Sequence, residues 1–113
     1  MEYDSSRLLY TFEMDTPEEL ASILAGHLQR RRLEKGLSRA ALTQMSGVPT
    51  PTIAKFEQKY TISLTSFLAL AKALGYTDSI KSLLSEPLYN TIEDLQQINK
   101  NKNRKKGRNV FGK

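Results

Sequence analysis

Apolar positions along this chain repeat with two periods, first of two residues and then of about 3.6. Leu8, Tyr10, Phe12 and Met14 alternate with Leu9, Thr11 and Glu13. An aromatic-containing period of two predicts a β-strand. No second segment of that quality follows, so the strand would leave its backbone donors and acceptors without a partner. Two outcomes stay open. The strand could pair with its equivalent in a second copy, making Leu8, Tyr10, Phe12 and Met14 dimerisation residues, or it could lie as an extended arm over a helical core.

From Thr16 the spacing becomes helical. Thr16-Pro17-Glu18-Glu19 supplies a capping hydroxyl, a proline at the first helical position and a capping-box glutamate. Leu20, Ile23, Leu24 and Leu28 form the expected stripe of a helix running to about Lys35, and Gly36 ends it. Ser38 can cap a second helix, with Ala41, Leu42 and Met45 on one face and Gly47 as its left-handed stop. Thr50-Pro51 starts a third, continued by Ile53, Phe56 and Glu57. Ser63 caps a fourth, with Leu64, Phe67, Leu68, Ala71 and Leu74 inward and Gly75 as the stop. A short fifth, capped by Thr77, is expected to turn Ile80, Leu83 and Leu84 inward, and Pro87 closes the compact part. Asn90 and Glu93 can cap a small amphipathic helix bearing Ile92, Leu95 and Ile98. Residues 99–113 have almost no apolar content and cannot offset the entropy of ordering them. The expected organisation is a strand or arm at 1–15, an all-α five-helix domain at 16–86, a short amphipathic helix at 87–98 and a basic disordered tail at 99–113.

Charge sharpens this division. Residues 1–16 hold Glu2, Asp4, Glu13 and Asp15 against Arg7 alone. Residues 17–86 hold nine basic and six acidic side chains, and residues 87–113 seven and two. The overall charge of +5 and a pI near 9.6 suit a polyanionic partner. The chain has no cysteine, so it has neither a disulfide framework nor a Cys-based zinc site. No apolar run approaches the ~20 residues of a membrane span, and no secretory pattern follows Met1. A cytoplasmic location is expected.

The second and third helices, about two turns each and joined by a Gly-containing turn, have the layout of a helix-turn-helix. In such a pair the second helix enters the DNA major groove. The ordered set Arg32, Lys35-Gly36-Leu37-Ser38, Leu42, Gly47-Val48, Ile53, Phe56-Glu57 and Leu70-Ala71-Lys72-Ala73-Leu74-Gly75 resembles the five-helix lambda-repressor-like (Cro/C1-type, XRE) DNA-binding family. The resemblance runs from about Leu24 to Leu84. Three departures stand out: Thr43 where the family usually has alanine, no glycine near Lys59 after the recognition helix, and prolines at 49 and 51 that stiffen the start of that helix. The flanks resemble, more weakly, regulators encoded beside HipA-type kinase toxins.

The resemblance implies roles for particular residues. Ser38 and Arg39 would meet a phosphate at the N-terminus of the second helix. Thr50, Pro51, Thr52 and Lys55 would face the groove, the threonines toward base edges and Lys55 toward guanine or phosphate. Gln44 would brace a backbone contact. Arg32 and Glu57 would form a partly buried structural ion pair between the first and third helices. The function implied is that of a transcriptional regulator, a repressor binding a palindromic operator as a homodimer. The alternative is an antitoxin that restrains a HipA-like kinase and autoregulates its operon. One histidine, His27, and the absence of a Gly-rich phosphate loop or pocketed carboxylate pair argue against an enzyme, and no metal or cofactor is expected.

Overall fold

The structure is a computed structural model that describes residues 15–109. The alternating segment with Leu8, Tyr10, Phe12 and Met14 lies outside the described residues. Among those described there are six helices and no strand. The chain divides into two compact units, Met1–Ile80 and Lys81–Lys113.

The first unit begins with α1, Pro17–Glu34. The Thr16 hydroxyl accepts from Glu19 N at 3.1 Å, and Pro17 occupies a position where no backbone donor is needed. α2, Arg39–Ser46, is capped by Ser38, whose Oγ accepts from Ala41 N at 3.0 Å. It ends at Gly47, which is left-handed at φ 78. α3 spans Thr50–Lys59 and α4 Leu64–Ala73, the latter capped by Ser63. α5, Thr77–Ser82, is a turn and a half.

α3 packs against α1 and α2, and α2 packs against α4. Leu42 of α2, Ile53 of α3 and Leu70 of α4 have no exposed surface and meet at the centre of the core. Phe56 and Phe67 meet edge to face, centroids 5.7 Å apart, an arrangement that suits the ring quadrupoles. Val48 fills the space beneath the α2–α3 turn.

Several inward assignments change. Leu20, Ile23 and Leu24 of α1 are exposed, and the buried face carries Ala25, Leu28 and Arg32. The small side chain of Ala25 leaves room for neighbouring helices to approach, which a row of leucines would not. Met45 is half exposed, and Leu64 sits exposed on the first turn of α4. Leu83 and Leu84 lie beyond the end of α5, with Leu84 at φ 64, so the helical period no longer carries them inward.

In the second unit, α6 spans Ile92–Asn101. Its cap is Thr91, accepting from Asp94 N at 3.0 Å, while Asp94 Oδ2 accepts from Asn90 N at 3.2 Å. The capping pair is thus Thr91 with Asp94, one residue beyond the expected Asn90 with Glu93. The helix continues through Asn101, three residues further than expected. Arg104 N then bonds Asn101 O, starting a turn through Lys106. No helix among the described residues is long and apolar enough to cross a membrane.

Gly47 isolates a backbone effect. A Cβ built there meets nothing within 4 Å, so only the left-handed conformation opposes a larger residue. Gly47→Ala is expected to lower stability by roughly 1–2 kcal/mol, the cost of holding an L-residue in that region, in urea unfolding.

Candidate nucleic-acid interface

The α2–α3 pair is held to α1 by one carboxylate. Glu57, on the inner face of α3, has a fully buried side chain. Arg32 Nε donates to its Oε2 at 2.8 Å and Arg32 Nη2 to its Oε1 at 2.9 Å, a two-pronged contact that matches guanidinium to carboxylate. Arg32 Nη1 donates to the carbonyl of Leu37 at 2.7 Å. Arg39 Nε donates to Glu57 Oε1 at 3.0 Å, and Gln29 Nε2 reaches the same oxygen at 3.3 Å. Burial alone would push the Glu57 carboxyl up. The hydrogen bonds and charges of Arg32 and Arg39 outweigh burial and hold it below the ordinary glutamate value.

This cluster has a consequence for the outer surface. From Leu37 to Thr61 the sequence contains no acidic residue except Glu57. With Glu57 inside and paired, the exposed surface of α2 and α3 is neutral or positive throughout.

The residues expected to meet DNA lie on or beside that surface. Ser38 is exposed and its hydroxyl caps α2. Arg39 opens α2; besides its bond to Glu57, its other guanidinium donors make no hydrogen bond among the described residues. Gln44 is exposed on α2. On α3, Pro51 and Lys55 are exposed, and Thr50 and Thr52 are half-buried. The Thr50 hydroxyl lies 2.8 Å from that of Thr43, which ties the start of α3 to α2. Thr43, where the family usually has alanine, therefore bonds a side chain across the turn.

α3 starts at Thr50, so Pro51 is its second residue, and it runs on to Lys59. Gln58 and Lys59, beyond the last residue of the third helix named from sequence, are helical and exposed. Pro51, Lys55 and Gln58 recur at i, i+4 and i+7 and share the outward face. Gln58 was legible from that spacing once the helix was extended by two residues. The left-handed residue that ends α3 is Tyr60, at φ 66, not Lys59.

Residues 28–80 match a family model described as helix-turn-helix, of the Cro/C1 type. Neither the curated proteins nor the solved structures contain a match to the chain.

The two arginines on Glu57 should differ in weight. Arg32→Ala removes both prongs and leaves a buried carboxylate with the partly exposed Arg39; a loss of about 3–5 kcal/mol is expected. Arg39→Ala leaves the Arg32 prongs in place and should cost no more than about 1 kcal/mol. Because the folded-state pKa of Glu57 is depressed, its contribution is complete above the ordinary glutamate range and is lost as pH falls through the lowered value. Urea unfolding should therefore show wild type and Glu57→Gln converging in stability at acid pH and diverging toward neutrality.

Proposed function

Residues 28–80 are a helix-turn-helix domain of the Cro/C1 (XRE) type, a DNA-binding module, and from that premise we propose that the chain is a sequence-specific transcriptional regulator acting as a repressor. The observation that carries this reading is the acid-free outer surface of α2 and α3, with Glu57 neutralised inside. α3 enters the major groove with Pro51, Thr52, Lys55 and Gln58 toward the base edges and Thr50 at its start. Ser38 and Arg39 at the beginning of α2 engage phosphate, and Gln44 steadies a backbone contact.

One recognition helix reads only a few base pairs, so the operator is palindromic and the protein binds it as a homodimer. The alternation of Leu8, Tyr10, Phe12 and Met14 supports strand pairing between the two copies. Action on DNA places the protein in the cytoplasm. A second reading, antitoxin to a HipA-like kinase, draws on Leu83, Leu84 and Leu88, exposed apolar residues that the DNA-binding domain does not use. On that reading a kinase-like protein encoded beside this chain co-purifies with it, and Leu84→Glu with Leu88→Glu abolishes the association while sparing operator binding.

Operator and random DNA, compared at one fixed salt concentration, test the DNA reading. Arg39→Ala should weaken both by a similar factor, since it meets phosphate. Thr52→Ala and Lys55→Ala should weaken the operator selectively, by about 1–3 kcal/mol for each base interaction removed. A uniform loss for both would remove α3 as the reader.

The last turn of α6 and the segment after it add Lys100, Lys102, Arg104, Lys105, Lys106 and Arg108. Arg104 to Arg108, with Gln97 and Asn101, line an open basic concavity. Sequence-independent phosphate attraction is its proposed role. Truncation after Asn99 should lower the slope of log affinity against log salt by about 0.9 for each phosphate that is no longer neutralised, with operator preference unchanged.

A further inference from the structure

α1 presents two faces. One is buried and carries Ala25, Leu28 and Arg32; the other leaves Leu20, Ile23 and Leu24 about half exposed, at 50%, 46% and 47%. With about 100° per residue, Leu20, Ile23, Leu24 and His27 form one outward stripe. The stripe has a charge polarity. Glu18 and Glu19 precede it on the first turn, and Arg30 and Arg31 follow it. Glu19 and Arg30 are eleven residues apart and so point within about 20° of each other, along the same flank of the stripe. Neither side chain has an ion-pair partner among the described residues.

The geometry points to a second copy of this chain as the occupant, seated through an antiparallel α1–α1 contact about a two-fold axis. This rests on the homodimer reading above and adds to it an interface within the folded domain. With the axis midway between Leu24 and His27, Leu24 of each copy lies against His27 of the other. A two-fold places residues of the same flank opposite one another, so Glu19 meets Arg30 of the second copy within about 3 Å along the helix axis, at a rise of about 1.5 Å per residue. The symmetry forms this pair twice. A parallel contact would leave Glu19 of one copy and Arg30 of the other about 16 Å apart along the helix axis, at about 1.5 Å per residue, and would form neither pair, so charge selects the antiparallel one. The antiparallel contact also sets the helix dipoles head to tail.

The test is sedimentation equilibrium on the full chain, with folding checked by circular dichroism. Ile23→Glu, at a surface position, should leave the fold intact and raise the dimer dissociation constant at least about tenfold. Glu19→Arg alone and Arg30→Glu alone should each raise it about tenfold or more, since each turns two attractions into two repulsions. The Glu19→Arg, Arg30→Glu double variant should return it to near wild type. Rescue by the swap is not expected of a surface that residues 1–14 of the same chain cover. Loss in the single variants without rescue in the double overturns the proposal. So does a dimer that ignores all these substitutions yet is lost when residues 1–14 are removed; that result leaves the homodimer reading standing, with the contact in the leader. A full chain that is monomeric and binds operator as one copy overturns the homodimer reading as well.

Discussion

The rest of the first unit depends on a buried glutamate held by two arginines. Glu57 sits on α3, Arg32 on α1 and Arg39 at the start of α2, so three helices meet at one carboxylate. Hydrophobic contacts among Leu42, Ile53 and Leu70 hold the helices together but do not dictate direction. The two-pronged guanidinium contact does, because its donors are coplanar and fixed in spacing. The bond from Arg32 to the Leu37 carbonyl extends the same restraint into the α1–α2 connection. The network thus orients the helix that presents Pro51, Lys55 and Gln58.

The same network governs the electrostatics of the outer surface. A glutamate on the outward side of α3 would repel phosphate; inside, its charge is spent on Arg32 and part of Arg39. Arg39 serves both sides, with Nε turned to the core carboxylate and its remaining donors free of internal hydrogen bonds. Thr43 and Thr50 work in parallel at the turn, where a hydroxyl pair ties α2 to the first residue of α3. That tie complements the stiffness of Pro49 and Pro51, which restrict the backbone on either side.

Outside this framework two groups of exposed apolar side chains stand out among the described residues. One is the outer stripe of α1, where acid and base at opposite ends give the surface a direction. The other is Leu83, Leu84, Leu88 and Ile92, around the connection that leads into α6. Neither contributes to the core around Leu42 and Ile53.

Local chemistry made most of the helices legible. Thr16, Ser38 and Ser63 act on backbone donors three residues ahead, and Gly36, Gly47 and Gly75 adopt left-handed conformations, interactions that need no tertiary neighbour. The glutamate–arginine pairing was suggested by family resemblance, since no periodicity relates residues 25 positions apart. What only the tertiary structure decided was which apolar face of each helix is covered. Leu20, Ile23 and Leu24 look more hydrophobic than Ala25 and Arg32, yet the latter are inside. Packing rewards fit and a partner for each buried charge, and neither is a property of a residue taken alone. Likewise, α3 reaches Lys59 because Tyr60 accepts a left-handed backbone that sequence would assign to glycine. Those two extra residues include Gln58, on the surface with Lys55.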